Sequence, residues 1–246
     1  MDQSDCGGPN QPCETIGYSL YTLRNDSFSD FITNGTFYLL PGNYSTDQNT
    51  NLTLPNNATF IGIGNSKSAK KNRKKKINYF FLDAIIDFDY SSGDGFVVPY
   101  ANEVNFINIT FSNFNRTIIN VKSETRNGTI AFFNCIFSSD KIQQIDHSTS
   151  IILFKESLTM NIRVTNCTFY SNDFVSLRGT GLLEIFNSTF YSNRQTILDV
   201  ISATILIQNS IFHNNSDGFP LPSSLLSPFP TPSPFPASSN SHMGGL

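Results

Sequence analysis

Two carboxylates spaced two residues apart are the first candidates for chemistry in this 246-residue chain. Asp87 and Asp89 stand in the segment AIIDFDY, where they alternate with Ile86 and Phe88. An extended strand would bury the apolar pair and direct both acids outward, about 6 to 7 Å apart. That separation is near the range for the acid and base of an inverting glycosidase. The alternatives are two solvated acids or a calcium site that also uses Asp94.

A second candidate site is a set of aromatic side chains that recur at one position along the chain. Tyr170, Tyr191 and His213 each directly follow a phenylalanine. Stacked on the outer face of a flat sheet, their rings would offer a surface of the kind that binds sugars. The strand propensity of aromatic residues alone also explains them. The pattern therefore predicts carbohydrate binding, with a purely structural role as the alternative.

The elements that position these candidates follow an imperfect repeat. Five segments align on an Asn with a Phe three residues later, at intervals of 26, 32, 21 and 22 residues. The residues four and two before each Asn are apolar, which is typical of a strand with one buried face. Asn tolerates left-handed backbone and turns the chain, so the Phe begins the inward face of the next strand. The anchors are Asn108, Asn134, Asn166, Asn187 and Asn209, followed by Phe111, Phe137, Phe169, Phe190 and Phe212.

A third apolar run completes each unit, such as TIINV from Thr117 and TILDV from Thr196. One unit cannot bury its own apolar face, so the units must stack. The sequence therefore predicts an all-β fold, a right-handed single-stranded parallel β-helix of about six or seven rungs. We expect a Cys loop and cap over residues 1–34, the β-helix over 35–218 and a Pro/Ser-rich extended tail over 219–246.

Specific segments resemble a known superfamily. GTFYLLPGNY from Gly35, followed by ATFIGIG from Ala58, resembles the opening turn of the pectin lyase-like right-handed β-helices. The N-C/S-x-F repeats are similar to polymorphic outer membrane protein repeats and to eukaryotic cell-surface β-helix proteins, whose domains often start with a loop resembling CGGPNQPC. The resemblance covers residues 6–215. It implies the fold but no single activity, because the superfamily includes lyases, glycosidases, adhesins and inert stalks.

The resemblance to the enzymes of the superfamily is incomplete. The polygalacturonase pattern needs further paired Asp residues, a Gly-His-Gly and an Arg-x-Lys motif, and the sequence contains none of them. The calcium-binding acids and strand-borne catalytic Arg of pectate lyases are also missing. The sequence therefore favours a protein that is not an enzyme.

The four cysteines form two pairs. Cys6 and Cys13, in a Gly/Pro-rich stretch, predict a small disulfide-closed loop. Cys135 and Cys167 occupy the same inward site on adjacent rungs, which allows either a disulfide or two stacked buried thiols. No His stands at ligand spacing, so neither zinc nor any other cofactor is expected, apart from the calcium alternative.

Eleven Asn-x-Ser/Thr sequons and the Cys loop predict a secreted or cell-surface glycoprotein. The sequence has no run of 18 consecutive apolar residues, so it predicts no transmembrane segment. Residues 1–20 lack the apolar core of a signal peptide. We expect the sequons at Asn108, Asn166 and Asn187 to be unmodified, because an amide buried in a stacked turn cannot carry a glycan. The preferred sites lie in predicted loops, at Asn25, Asn43, Asn57, Asn115 and Asn127.

Seven of the 16 basic residues lie between Lys67 and Lys76. This run falls between two predicted strands and indicates an inserted loop. Such a loop can contact polyanions such as sulfated glycans or acidic lipids, and a solvated loop without function is the alternative. The sequons and Cys loop argue against nucleic acid as the partner.

The sequence as a whole favours a non-enzymatic secreted or cell-surface β-helix glycoprotein that acts in adhesion or extracellular carbohydrate recognition. One alternative is a polysaccharide lyase or glycoside hydrolase that acts through Asp87 and Asp89. Another is a structural stalk fragment of a larger surface protein.

Overall fold

The chain winds into a three-sided coil in which each side is a parallel β-sheet. Strands that are neighbours in a sheet come from successive turns of the coil. The computed structural model describes residues 13, 15–22, 34–45, 49–64, 84–89, 93–98, 103–114, 117–122, 128–139, 152–154, 160–172, 174–179, 181–200 and 204–215.

The first sheet has seven strands in perfect sequence order. Apolar residues alternate along each strand and face the core, so that Ile130 pairs with Ile162 and Ile162 with Leu183. The strands are β1 (Asn34–Leu39), β4 (Asn57–Gly62), β7 (Glu103–Ile107), β10 (Gly128–Phe133), β13 (Met160–Thr165), β16 (Leu182–Phe186) and β19 (Thr204–Gln208).

The second sheet also has seven strands, most of them only three residues long. Each begins two residues after a turn Asn in the repeating part of the chain, as Thr110 does after Asn108. The strands are β2 (Gly42–Ser45), β5 (Ala84–Asp87), β8 (Thr110–Ser112), β11 (Ile136–Ser138), β14 (Thr168–Tyr170), β17 (Thr189–Tyr191) and β20 (Ile211–His213).

In the described part of the chain the third sheet has six strands, so these residues form six full turns of the coil and two sides of a seventh. The predicted β-helix of six or seven rungs is therefore confirmed. The strands are β3 (Leu52–Thr53), β6 (Phe96–Val98), β9 (Ile119–Val121), β12 (Ile152–Phe154), β15 (Phe174–Gly179) and β18 (Gln195–Val200).

Within the residues that the structure describes, one short helix, α1 (Ile16–Thr22), packs against the first turn of the coil. Ile16 and Leu20 are buried and belong to the same core as the strands. The backbone N–H of Ile16 donates to Oδ1 of Asn49, 3.0 Å away. The helix therefore covers apolar surface that the first turn would otherwise expose.

Stacked phenylalanines fill the interior. The predicted column behind the turn Asn is confirmed, with ring centroids 4.3 to 5.0 Å apart and ring planes within 15° of parallel. A second stack runs through the first sheet, where neighbouring centroids are 4.6 to 5.4 Å apart. Each such pair contributes about 0.5 to 1.5 kcal/mol beyond the burial of its area. The second stack consists of Phe37, Phe60, Phe106 and Phe132.

The turn between the first and second sheets is the predicted Asn turn. All five anchor asparagines have left-handed backbone, with φ between 50° and 56°. Their side chains are half-buried or exposed, so the prediction of a buried Asn ladder at this turn is wrong. Among the described residues, side-chain pairing between these anchors is limited to one bond, from Nδ2 of Asn134 to Oδ1 of Asn108 at 3.2 Å.

The buried Asn ladder lies instead at the next corner of the coil, after the second sheet. Asn172 and Asn193 are buried there, and Asn215 continues the column. The sequence carries a signal for this ladder, because each of the three stands three residues after a core phenylalanine.

Candidate functional site

The structure places one member of the predicted acid pair, Asp87, in the same column as the predicted aromatic residues, on the outside of the second sheet. The register pairs Asp87 with Ser112 and continues upward through every later strand of the sheet. We call this set the outer column. Its members are Asp87, Ser112, Ser138, Tyr170, Tyr191 and His213.

The aromatic end of the outer column has an ordered geometry. The rings of Tyr170 and Tyr191 have centroids 5.7 Å apart and planes 12° from parallel. The nearly parallel planes and this separation correspond to an offset stack. Tyr191 is 39% exposed, Tyr170 is half-buried and His213 is exposed. The stack therefore presents ring surface, phenol hydroxyls and an imidazole to solvent.

The two ends of the outer column are separate. Ser112 and Ser138 lie between Asp87 and Tyr170, and Ser138 is only 8% exposed. Three strand spacings of about 4.8 Å separate the carboxylate from the first tyrosine. Asp87 and the aromatic rings thus do not form one continuous surface.

The predicted pair of outward acids on one strand is not what the structure has. β5 ends at Asp87, and Asp89 lies in the following turn with a φ of 43°. The backbone N–H of Asp89 donates to Oδ1 of Asp87 at 3.0 Å. This local bond stabilises the left-handed turn, so the strand itself does not reach Asp89, although Phe88 is buried and Asp89 is exposed.

The Asp87 carboxylate accepts further hydrogen bonds from structural amides. Nδ2 of Asn113 donates to Oδ1 at 2.9 Å, and Nδ2 of Asn43 donates to Oδ2 at 3.4 Å. The side chain thereby ties its own turn to the strands on either side of it. The carboxylate thus accepts three hydrogen bonds from groups of the fold.

The calcium alternative rested on Asp94. Oδ2 of this residue accepts a hydrogen bond from Nδ2 of Asn120, 2.6 Å away on the next turn. Within the described part of the chain, no group of three or more His, Cys, Asp or Glu side chains is placed to hold a metal ion.

Cys135 and Cys167 are free, buried thiols, so the disulfide alternative for this pair is wrong. Each sulfur contacts a backbone group of the preceding turn. Sγ of Cys135 lies 3.3 Å from the carbonyl oxygen of Phe106, and Sγ of Cys167 accepts the backbone N–H of Cys135 at 3.4 Å. Burial and the neighbouring Cys167 thiol raise the pKa of Cys135 well above its usual value. Cys6 lies outside the described residues, so the Cys6–Cys13 loop stays a prediction.

The predicted glycosylation sites divide into two groups. Asn43 and Asn57 belong to β2 and β4, so their prediction as loop residues is wrong. Both amides pair with side chains of a neighbouring turn; Nδ2 of Asn57 donates to Oδ1 of Asn34 at 2.6 Å. The other three predicted sites, Asn25, Asn115 and Asn127, lie outside the described residues. The basic run from Lys67 to Lys76 also lies outside them.

Comparison with family models places the chain. A model described as the right handed beta helix region matches residues 94–224, which is more than half of the sequence. This chain belongs to the right-handed beta helix family. The resemblance to the pectin lyase-like superfamily is thereby confirmed at the level of fold.

The match to the right-handed beta helix family includes Tyr170, Tyr191 and His213 and begins after Asp89. Comparisons with curated proteins and with solved structures found no match. Among the described residues, no helix is long and apolar enough to cross a membrane. Membership of the family establishes the scaffold but no particular function.

Proposed function

We propose that this right-handed β-helix protein is a non-enzymatic, secreted or cell-surface glycoprotein that recognises carbohydrate through Tyr170, Tyr191 and His213. The observation that supports the proposal most is the exposed offset stack of Tyr170 and Tyr191 on a rigid strand pair. The extracellular setting is supported by the sequons of the sequence.

Aromatic rings bind sugars by contact with the apolar C–H faces of the pyranose, while nearby polar groups fix its orientation. The outer column offers both kinds of group. Its phenol hydroxyls donate and accept hydrogen bonds, and the imidazole of His213 supplies one donor and one acceptor when neutral. The next apolar side chain on this face, Ile211, is 59% exposed and adjoins His213 on β20.

The scaffold reduces the cost of binding. The strands of Tyr170 and Tyr191 each pair with a strand on both sides, and the strand of His213 pairs with that of Tyr191, so little backbone freedom is lost when a ligand binds. Tyrosine also has only two side-chain torsions to fix. A regular, preorganised column is suited to a repeating ligand such as a polysaccharide chain that lies along the coil.

A polysaccharide lyase or hydrolase is the competing function. Asp87 and Asp89 do not support it, because one carboxylate accepts three hydrogen bonds and the other lies in a turn. A general acid or base needs a carboxyl that can reach the substrate. This geometry favours recognition over catalysis.

The test is a glycan array probed with the wild-type protein and with a Tyr170→Ala/Tyr191→Ala variant. We expect the variant to lose the array signal while its urea unfolding midpoint stays close to wild type. The matched control is Tyr38→Ala, which removes a 64% exposed tyrosine from the first sheet and is expected to bind normally.

A parallel incubation with a panel of polyuronides tests the enzymatic alternative. The proposal predicts neither new reducing ends nor unsaturated products. Product formation that is abolished in an Asp87→Asn/Asp89→Asn variant would overturn it in favour of a polysaccharide-cleaving enzyme.

A further inference from the structure

We propose that Asn166 and Asn187 are acceptor sites for N-linked glycans. Both stand in sequons, Asn166 before Thr168 and Asn187 before Thr189. The inference rests on the extracellular part of the proposed function, since the modification requires passage through a secretory compartment. It reverses the expectation that the Asn turn is too buried to be modified.

The structure exposes both side chains at a corner of the coil. Each residue has left-handed backbone, with φ of 54° at Asn166 and 50° at Asn187. Their backbone N–H groups donate to the carbonyl oxygens of Phe186 and Gln208, both at 3.0 Å. The backbone therefore makes the contacts that hold the turn, and both side chains are exposed.

The side-chain amides are not used by the fold. Within the described part of the chain, neither Nδ2 donates a hydrogen bond, whereas the amides of Asn172 and Asn193 are buried and donate to carbonyl oxygens of the preceding turn. A glycan at a buried, bonded amide would break the ladder. A glycan at an exposed, unbonded amide projects into solvent and disturbs no contact.

Other members of the same turn column differ in one of these properties. Asn108 is half-buried and its Oδ1 accepts a hydrogen bond from Asn134. Asn134 and Asn209 have the same turn conformation. The third residue of each triplet is isoleucine, at Ile136 and Ile211, where a sequon needs Ser or Thr. Asn166 and Asn187 combine the sequon with an exposed amide.

The reaction joins the side-chain nitrogen of Asn to the anomeric carbon of an oligosaccharide carried on a lipid pyrophosphate. The N–C bond forms as the bond between the sugar and the pyrophosphate oxygen breaks. The amide loses one proton, and the lipid pyrophosphate leaves. Transfer takes place on the extended chain, and the folded coil then has to accommodate the product.

A glycan at either position leaves the aromatic end of the outer column unmodified. Asn166 precedes β14 and Tyr170 ends it, four residues later, which corresponds to about 13 Å of extended chain. The same spacing separates Asn187 from Tyr191. Loss of these glycans is therefore not expected to abolish carbohydrate binding by the tyrosines.

The test is peptide mapping of the full chain secreted from a eukaryotic cell line, after enzymatic removal of N-glycans in heavy-oxygen water. The variants are Thr168→Ile and Thr189→Ile, which destroy one sequon each and keep both asparagines. Isoleucine already occupies the equivalent strand position at Ile136 and Ile211, so the coil is expected to fold in both variants. Urea unfolding of each variant checks that it does.

We expect labelled aspartate at positions 166 and 187 in the wild-type protein, and loss of the label at only the matching position in each variant. Unlabelled Asn166 and Asn187 in a protein whose other sequons are labelled would overturn this inference and leave the proposed function intact. A secreted protein with no labelled sequon would overturn both the inference and the glycoprotein part of the proposed function.

Discussion

Nδ2 of Asn172 donates to Oδ1 of Asn193 at 2.8 Å, and Asn193 makes the same contact to Asn215 at 3.0 Å. Each acceptor oxygen also receives the backbone N–H of the preceding turn, at 3.2 and 3.1 Å. Nδ2 of Asn172 reaches the carbonyl oxygen of Phe137, and Nδ2 of Asn193 that of Phe169, both at 3.1 Å. One column of buried amides thus links successive turns of the coil through both backbone and side-chain groups.

Replacement of Asn193 by Ala tests this ladder. The change removes the acceptor for two donors of Asn172 and the donor to the carbonyl oxygen of Phe169, all in a buried corner. Each unsatisfied buried group costs about 1 to 3 kcal/mol, so we expect the free energy of unfolding to fall by about 3 kcal/mol. The measurement is urea unfolding, with the exposed Asn209→Gly as control. Similar losses in the two variants would contradict the role of the ladder.

The contrast between two phenylalanines tests the stacked core. Phe169 is fully buried between Phe137 at 4.4 Å and Phe190 at 4.3 Å, whereas Phe212 is half-buried in the last turn. Phe169→Ala is expected to lower the free energy of unfolding by about 3 to 5 kcal/mol. Phe212→Ala should cost clearly less in the same denaturation experiment, and equal losses would show that the end of the coil is as tightly packed as its middle.

We expect the fold to tolerate serine in place of both buried cysteines. Ser188 and Ser210 continue the column of Cys135 and Cys167, and their hydroxyls accept the backbone N–H of Cys167 and Ser188 at 3.1 Å. A Cys135→Ser/Cys167→Ser protein should therefore keep the free energy of unfolding within about 1 kcal/mol of wild type. A second test compares the wild type with a variant that lacks Cys6 and Cys13. If a reducing agent destabilises only the wild type, then Cys135 and Cys167 do not form a disulfide. Destabilisation by reduction in both proteins would contradict the free thiols.

The raised pKa of Cys135 predicts a dependence of stability on alkaline pH. Burial keeps this thiol protonated in the folded state, while the unfolded chain loses the proton above its ordinary pKa of about 8.5. The folded state then binds more protons than the unfolded state, so the free energy of unfolding falls as pH rises above about 8.5. Urea unfolding between about pH 8 and 10 should show a shallower fall in Cys135→Ser than in wild type. Identical slopes would contradict the prediction.

The sequence predicted the features that repeat and missed those that depend on local geometry. The apolar alternation before Asn166 predicts the strand, Asn166 itself the turn, and Phe169 the core position that follows. Stacking of the turns then places equivalent residues in columns. Period-two alternation could not show that Asp89 leaves the strand, since a single left-handed residue has no periodic signal. Asn, Asp and Ser all take that conformation in this coil, as Ser171 shows with a φ of 52°.

The choice between thiols and a disulfide also lay beyond the sequence. Column spacing brings Cys135 and Cys167 within the distance that a disulfide needs, but the direction of each side chain decides whether the sulfurs meet. Each sulfur makes a hydrogen bond to the backbone of the preceding turn. The outer column was predictable for its aromatic end, where the repeat is most regular, and less so at Asp87, where the register connects more distant segments.

The most direct measurement of the central proposal is a calorimetric titration of wild type, Tyr191→Ala and Tyr191→Phe with the saccharide that gives the strongest array signal. Removal of the ring should weaken binding at least about tenfold, a loss of about 1.4 kcal/mol, while Tyr191→Phe keeps the stack and loses less. Unfolding midpoints equal to wild type establish that the coil is intact in both variants. Unchanged affinity in Tyr191→Ala would contradict recognition through the outer column.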